Sequence, residues 1–296
     1  MIEFLNWSIG RLNQAGIGSP RMEAEVLFAG ALKLCREEIY RRPDRTLTEP
    51  EKAIICDFVD RRVLREPVAY IIERKEFWSL DFKITPDVLI PRPETETLIE
   101  TLLLLNSKNP DKLPLRLLEI GTGSGAIAVV AAQEIPGCRV TATDYFLGAL
   151  AVARLNAENH VVADKIDFVK SDIFLDLPIV LYDCIVSNPP YIQTSSLNKL
   201  MADVINFEPR SALDGGNDGL SFYKRIIPEA LGYLKKGGTV VLEIGETQAK
   251  AVTRLFDQEG QYEEIKVIRD YSGYDRVVSA RKKIYGKNSY RRRRTS

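Results

Sequence analysis

A strand, a glycine-rich turn and a helix follow one another directly in this chain, and this succession restricts its fold more than any other feature. Residues 117–120 (Leu-Leu-Glu-Ile), which are mostly apolar, lead into Gly121-Thr122-Gly123-Ser124-Gly125, and a helical stretch covers 126–134. Glycines allow a tight turn and let the backbone approach a ligand closely at a helix N-terminus. The Gly-x-Gly-x-Gly spacing favours S-adenosylmethionine over a dinucleotide. We therefore predict that Gly121, Thr122, Gly123, Ser124 and Gly125 bind this cofactor.

Apolar runs typical of buried strands alternate with helical stretches from residue 115 onward. The runs lie at 115–120, 139–143, 166–169, 183–187 and 239–244. Such alternation indicates an α/β fold with a mostly parallel sheet that helices cover on both faces. Residues 265–268 and 276–280 predict a final antiparallel pair of strands.

Two acidic side chains end strands that follow the glycine loop. Asp144 lies about twenty residues beyond the loop, where an acidic side chain binds ribose hydroxyls. Asp172 ends the third strand, and its carboxylate can accept a hydrogen bond from an adenine amino group while Ile173 packs on the base. The alternative for Asp172 is a cap on the following turn.

The segment Asn188-Pro189-Pro190-Tyr191 follows the fourth strand and carries the most chemical information. Its prolines fix the backbone and remove two N–H donors, which leaves the Asn188 side-chain oxygen and the Pro189 carbonyl as acceptors beside the Tyr191 ring. A planar –NH2 group fits such a loop, whether it belongs to an amide or to adenine. We predict substrate binding by Asn188, Pro189, Pro190 and Tyr191, and catalytic roles for Asn188, Pro189 and Tyr191. The alternative is a loop that the prolines only stiffen.

An amide nitrogen is a poor nucleophile, because its lone pair is delocalised. Two acceptors that hold its N–H groups would aim the nitrogen at an electrophilic methyl group. These hydrogen bonds strengthen as positive charge develops on nitrogen, so the loop would favour the transition state. No general base has to act before the attack.

The remaining chain divides into further regions. Residues 1–75 read as a small helical domain, with Pro20 at a helix start and a third helix near Thr48. Residues 76–91 read as a β-hairpin linker whose second half is 88–90. A cofactor-binding domain spans 92–282, and a basic, disordered tail spans 283–296. For Arg92, Glu94 and Thr95, the alternatives are a wall of the cofactor cleft and a helix start.

Charge and composition exclude several classes of protein. The last sixteen residues hold eight basic and no acidic side chains, which leaves residues 1–280 with 33 basic against 41 acidic side chains. An acidic body argues against a nucleic-acid substrate, although the tail leaves contact with RNA or a ribosome open. Four scattered cysteines, no visible secretory signal and no long apolar segment predict a cytoplasmic protein without a membrane span. The single histidine argues against a histidine-based metal site, so we predict no metal.

Several segments together resemble the HemK/PrmC family of protein-(glutamine-N5) methyltransferases, over nearly the whole chain to about residue 282. Beside 121–125 and 188–191, they are 65–71 (Arg-Glu-Pro-Val-Ala-Tyr-Ile), 90–96 (Ile-Pro-Arg-Pro-Glu-Thr-Glu), 208–216 and 270–276. The Asn-Pro-Pro-Tyr loop is shared with DNA and RNA amino-methyltransferases, and the 90–96 segment with the helical N-terminal domain narrows the match.

The resemblance implies a seven-stranded class I methyltransferase domain behind an N-terminal helical bundle that docks the partner protein. It implies cofactor contacts by residues 121–125, Asp144, Ile173 and Asn188, although relatives often carry an aromatic residue at 173. It also implies methylation of the glutamine in the Gly-Gly-Gln motif of class I peptide chain release factors, the proteins of translation termination. The alternatives are glutamine methylation of a ribosomal protein, N6-adenine methylation of nucleic acid, and a non-catalytic cofactor-binding protein.

Overall fold

The computed structural model describes residues 1–107 and 115–284. The chain forms two compact units. The helical unit comprises Met1–Lys75, Ile84–Pro86 and Leu200–Glu208, and the sheet unit comprises the rest of the described chain. Of the predicted basic tail, residues 285–296 lie outside the described residues. None of the helices in the described ranges combines the length and hydropathy that a membrane crossing requires.

The elements are numbered in chain order. The helices are α1 Ile2–Gln14, α2 Pro20–Leu32, α3 Arg36–Arg41, α4 Glu49–Val63, α5 Val68–Ile71, α6 Glu96–Ser107, α7 Ala126–Glu134, α8 Leu147–Asn159, α9 Ala202–Ile205, α10 Ser221–Ala230 and α11 Ala249–Glu259. The strands are β1 Arg74–Phe77, β2 Leu80–Lys83, β3 Arg116–Ile120, β4 Arg139–Asp144, β5 Ile166–Lys170, β6 Tyr182–Ser187, β7 Leu234–Glu243, β8 Tyr262–Arg269 and β9 Asp275–Lys282. A 3-10 helix at Pro93–Thr95 leads into α6.

The helical unit packs its helices around a shared apolar core that includes Leu12, Phe28 and Ile55. The predicted third helix begins beside Thr48, whose hydroxyl accepts from the backbone N–H of Glu51 while the Glu51 carboxylate accepts from the backbone N–H of Thr48. This reciprocal cap satisfies two N–H groups that a helix start leaves open. The short helices α3 and α5 were not predicted from the sequence. Helix α3 buries only Ile39, so it carries no apolar periodicity.

The hairpin is shorter than the sequence predicts. Its strands are β1 and β2, and Trp78 and Ser79 between them have φ of +54° and +56°. Two successive positive φ angles are typical of the two-residue turns that match strand twist. The prediction of a second strand at 88–90 is wrong, since these residues are loop. The turn lacks the Asn or Gly that marks such hairpins, so the Pro86-Asp87 pair was the stronger but misleading signal.

The sheet of the sheet unit has seven strands in the order β5-β4-β3-β6-β7-β9-β8. The strands from β5 to β7 in this order are parallel, and β9 runs antiparallel to both β7 and β8. The mostly parallel sheet with a final antiparallel pair is therefore confirmed. Leu118, Ile185 and Val240 of its central strands are fully buried.

The strand order brings the two predicted site loops to one edge. From β3 the chain continues to β4 and β5 on one side of β3 and then crosses to β6 on its other side. Ligands bind in open α/β sheets at the point where the strand order reverses in this way. Ile120 pairs with Thr143 on one side and with Ser187 on the other. The glycine loop, Asp144 and Asn188 each follow one of these residues, so they emerge side by side.

Candidate active site

The glycine loop takes a backbone shape that suits glycine at three positions. Gly121, Gly123 and Gly125 have φ of +73°, +53° and +80°. A Cβ on Gly125 would lie 3.0 Å from the Cβ of Ala153 in α8, so close packing also requires glycine there. The backbone N–H of Thr122 donates to the Thr143 carbonyl at 2.8 Å. The loop is thus tied to the neighbouring strand.

Asp144 braces the glycine loop from the end of β4. Its carboxylate accepts from the backbone N–H of Gly123 at 2.9 Å and from that of Phe146 at 3.0 Å. Burial raises the pKa of this carboxyl, against these two hydrogen bonds, which lower it. The predicted ribose ligand therefore also fixes the loop that it faces.

Glu119, at the end of β3, is a buried acid that sequence reasoning missed. One oxygen accepts from the Thr122 hydroxyl at 2.7 Å, and the other has no hydrogen-bond partner among the described residues. Burial raises the pKa of Glu119 to about 8, with a smaller contribution from Asp144. The signal was available, because an acidic residue within an otherwise apolar strand is costly unless it serves a purpose.

Residues 171–173 form the next part of the same edge. The Asp172 carboxylate pairs with Arg225 at 2.9 Å, whereas the Ser171 hydroxyl accepts from the Asp176 N–H in the following turn at 3.3 Å. Ile173 has a φ of +58° and is 4% exposed, and its side chain belongs to the apolar core beside the sheet. A β-branched residue rarely adopts positive φ, so this turn is held in a strained conformation.

In the Asn-Pro-Pro-Tyr loop after β6, the Asn188 and Tyr191 side chains contact different parts of the sheet unit. The Asn188 amide nitrogen donates to the Thr95 hydroxyl oxygen at 3.2 Å. The Tyr191 side chain is partly buried against the apolar core, and its hydroxyl lies 3.5 Å from the Glu243 carboxylate. Burial, followed by the charge of Glu243, raises the Tyr191 pKa. The Tyr191 carbonyl accepts from the Gln248 side chain at 2.9 Å, which fixes the backbone of the loop.

These residues surround one cavity of about 710 Å³ in the sheet unit, a size typical of small-molecule sites. Its lining includes these predicted cofactor and substrate residues: Gly121, Thr122, Gly123, Ser124, Asp144, Asp172, Ile173, Asn188, Pro189 and Pro190. In the part of the chain that the structure describes, Gly125 and Tyr191 are outside this lining.

Two residues in the segment that leads into α6 also line the cavity, as do Glu119 and Arg225, which the sequence analysis did not single out. Arg92 and Thr95 belong to this wall, whereas Glu94 is exposed in the first turn of the 3-10 helix. Within this segment, Arg92 and Thr95 therefore line the cavity, whereas Glu94 lies at the helix start.

The cavity suits a charged nucleoside cofactor such as S-adenosylmethionine. One oxygen of Glu119 is buried and has no hydrogen-bond partner among the described residues, so a bound ligand could donate a hydrogen bond to it. The Asp144 carboxylate lies at the same edge of the sheet. The turn at Gly121 and Gly123 has open space where a Cβ would stand, so a ligand can approach the backbone closely. The residues present fit this group.

Comparison with known proteins gives matches over nearly the full chain. A family model described as the PrmC N-terminal domain matches residues 3–72, and one described as a methyltransferase small domain matches 95–217. The release factor glutamine methyltransferase of Geobacter sulfurreducens is 40% identical over 94% of this chain and 95% of its own length. The protein of the same name from Coxiella burnetii is 42% identical over 89% and 92%.

Solved structures share the fold at lower sequence identity. The catalytic domain of hMettl16 superposes with a TM-score of 0.56 at 18% identity, over 81% of this chain and 84% of its own. A methyltransferase from Pyrococcus furiosus gives 0.50 at 23% identity, over 76% and 98%.

The sheet order, the glycine loop and the cavity at the strand ends define a class I methyltransferase. This fold implies a methyl donor of the S-adenosylmethionine type. At about 40% identity over nearly the whole length, the chain belongs to the release factor glutamine methyltransferase family.

Proposed function

We propose that this protein transfers a methyl group from S-adenosylmethionine to the side-chain amide nitrogen of the glutamine in the Gly-Gly-Gln motif of class I release factors. The observation that carries the proposal is the orientation of Asn188. Its NH2 group donates to Thr95, so its carbonyl oxygen remains available as an acceptor at the cavity edge next to the glycine loop. An acceptor at that point suits an amide that must be held by its N–H groups.

The cofactor would lie along the carboxyl ends of β3, β4 and β5. Residues 121–125 would bind it through the loop backbone. Gly125, which is outside the cavity lining, would let the loop pack closely against Ala153 of α8. Asp144 would bind the ribose hydroxyls, and Asp172 with Ile173 would border the adenine. S-adenosylmethionine supplies an electrophilic methyl group on a positively charged sulfur.

The chain's own residues would orient the glutamine rather than deprotonate it before attack. The Asn188 side-chain oxygen and the Pro189 carbonyl would each accept one amide N–H. Positive charge grows on the amide nitrogen during attack, so these two hydrogen bonds strengthen in the transition state. Pro189 and Pro190 keep the acceptors in place, because they lack N–H groups and have a restricted φ. Tyr191 would support the loop from the core side, through its contact with Glu243.

The helical unit would dock the release factor. It carries the match to the PrmC N-terminal domain, and it holds exposed apolar side chains, among them Trp7 and Met22. Action on a translation factor would take place in the cytoplasm.

Mass spectrometry of an unmethylated release factor, incubated with this protein and S-adenosylmethionine, tests the proposal. We expect one methyl group on the tryptic peptide that contains Gly-Gly-Gln. A release factor whose motif glutamine is replaced by glutamate serves as the control and should stay unmodified. No methylation, with cofactor binding established by calorimetry, would contradict the proposal and direct the search to ribosomal proteins and then to adenine in nucleic acid.

A further inference from the structure

One side chain behind the substrate loop ties three backbone segments of the sheet unit together. The Gln248 amide nitrogen donates to the Tyr191 carbonyl at 2.9 Å and to the Gly219 carbonyl at 3.1 Å. Its amide oxygen accepts from the backbone N–H of Gly245 at 2.9 Å. These partners lie in the loop after β6, in the segment before α10 and in the turn after β7, and Gln248 itself directly precedes α11. The three hydrogen bonds form a clamp on the end of the Asn-Pro-Pro-Tyr loop.

The chemistry of the partners fixes the orientation of the Gln248 amide. Backbone carbonyls only accept hydrogen bonds and a backbone N–H only donates, so an amide turned over would place like groups against all three partners. Two glycines give the room that this arrangement needs. A Cβ on Gly219 would lie 2.5 Å from the Tyr191 carbonyl oxygen, and a Cβ on Gly245 would lie 3.1 Å from the Gln248 oxygen. The clamp therefore depends on the absence of side chains at 219 and 245.

The segment 209–216 is attached to the same loop through the residue that follows Tyr191. The backbone N–H of Ile192 donates to the Leu213 carbonyl at 3.0 Å, and the Ile192 carbonyl accepts from the Gly215 N–H at 2.7 Å. Residues of the loop and of this segment line the same cavity. The clamp therefore holds one wall of the cavity in place, and not a single loop alone.

We propose that Gln248 is a positioning residue for methyl transfer, which sets the position of the two substrate acceptors by clamping the Tyr191 carbonyl. The inference deepens the proposed function, on which its catalytic meaning rests. The clamped carbonyl lies two residues beyond that of Pro189, and the rings of Pro189 and Pro190 restrict φ. A displacement at Tyr191 is therefore passed on to the acceptors, and a misplacement of about 1 Å can cost about 10²-fold in rate. Among the described residues, the cavity lining does not include Gln248, so this side chain acts through the loop.

The first test follows the Tyr191 carbonyl directly and needs no substrate. A tyrosine precedes an isoleucine at two places in the sequence, at 70–71 and at 191–192. Full-length protein labelled with 13C at the tyrosine carbonyl and with 15N in isoleucine therefore gives two carbonyl resonances in an HNCO spectrum. Ile71→Val removes one of them and so identifies the other. The 70–71 pair belongs to the helical unit and serves as the internal control.

Two substitutions of Gln248 should shift the Tyr191 carbonyl resonance and leave that of Tyr70 in place. Gln248→Met keeps the length of the side chain but has no N–H to donate. Gln248→Glu can still accept from Gly245, but at neutral pH its carboxylate cannot donate to the two carbonyls. A Tyr191 resonance that stays at its wild-type position in Gln248→Met would overturn the inference.

The second test measures turnover on the release factor. Gln248→Met and Gln248→Glu should each lower kcat by about 10- to 100-fold, while the Kd for S-adenosylmethionine changes less than about twofold. Gln258→Glu makes the same charge change at an exposed position of α11 and should keep the wild-type kcat. Thermal melting shows whether each variant is folded. Gln248→Glu keeps the inference testable if Gln248→Met does not fold, because an acidic side chain is favoured beside a helix N-terminus.

The two tests separate the inference from the proposed function. If the wild type is active and the Gln248 variants shift the Tyr191 resonance but keep kcat, the positioning role is wrong. Equal losses in kcat and in cofactor affinity would also contradict it, because they would indicate a general disruption of the cavity. If the wild type does not methylate the release factor, the proposed function fails, whereas the Tyr191 resonance still decides whether Gln248 holds the loop.

Discussion

The carboxylate of Asp144 accepts a hydrogen bond from the backbone N–H of Gly123 at 2.9 Å, although 21 positions separate the two residues. This contact locks the glycine loop to the end of the neighbouring strand. Asp144 also accepts from Phe146, so each of its two oxygens already has a backbone donor. Each oxygen has further acceptor capacity, which a ribose hydroxyl can use.

Asp144→Ala should weaken the binding of S-adenosylmethionine far more than it slows turnover at saturating cofactor. The substitution removes the ribose acceptor and also releases Gly123, so we expect a loss of about 10- to 100-fold in affinity, from about 1.5–3 kcal/mol per hydrogen bond to a charged group. Isothermal titration calorimetry measures the affinity directly. An unchanged Kd would contradict the role of Asp144.

Asn188→Ala should show the reverse pattern, and it is the matched control for Asp144→Ala. The Asn188 side chain acts on the amide in the transition state, so kcat should fall by about 10²-fold or more while the Kd of the cofactor changes little. Steady-state kinetics with a release factor, beside calorimetry, separates the two effects. Comparable losses in both would mean that Asn188 chiefly holds the cofactor.

Gly125→Ala should destabilise the sheet unit more than Gly123→Ala. Both glycines have positive φ, but a Cβ at 125 meets Ala153 at 3.0 Å, whereas a Cβ at 123 has open space. We expect a loss of about 2–4 kcal/mol in the free energy of unfolding for Gly125→Ala and about 1 kcal/mol for Gly123→Ala. Urea unfolding of both variants measures the difference. Equal losses would show that α8 moves aside without cost.

Glu119→Gln should change how the stability of the sheet unit depends on pH. The pKa of Glu119 is raised to about 8 in the folded protein, so its stabilising contribution is complete below its ordinary pKa near 4.5 and is lost as pH rises through 8. Between pH 5 and pH 8, the wild type should therefore lose about 3 kcal/mol that the glutamine variant does not lose.

Trp78 fluorescence reports this loss for the sheet unit alone when Trp7, the other tryptophan, is replaced by phenylalanine. Urea unfolding at the two pH values, with and without Glu119→Gln in this Trp7→Phe background, gives the comparison. A parallel pH dependence in both proteins would exclude Glu119 as the titrating group.

Arg62→Ala should destabilise the helical unit strongly. Arg62 is buried and bonds Glu23 at 2.5 Å and Asp203 at 2.7 Å. Its loss leaves two largely buried carboxylates without their cation, which typically costs about 3–5 kcal/mol. Unfolding followed by Trp7 fluorescence in a Trp78→Phe background measures it.

The exposed pair of Arg11 and Asp60 provides the control for Arg62. Their side chains are 44% and 60% exposed at a separation of 2.7 Å. Solvent screens such a pair, so Arg11→Ala should cost less than about 1 kcal/mol. An equal effect of the two substitutions would mean that burial does not strengthen the Arg62 contacts.

The sequence predicted those parts of the protein that local pattern controls. Strand β4 begins at Arg139 and strand β6 ends at Ser187, as predicted, because apolar runs and the residues that end them are encoded within a few positions. The positions of Asp144 and Asn188 beyond their strands follow from the same local rule. The hairpin turn at Trp78 and Ser79 was missed, because neither residue type prefers the positive φ that it adopts there.

Contacts between distant residues could only come from the tertiary structure. Thr95 meets Asn188 across 93 positions, and Tyr191 turns its hydroxyl toward Glu243 across 52 positions. No local pattern encodes these distances, because they depend on which strands become neighbours in the sheet. The sequence by itself thus determined the fold class and the loops that form the site. The order of the strands decided which buried acids stand behind those loops, since burial and partner geometry exist only once the sheet has formed.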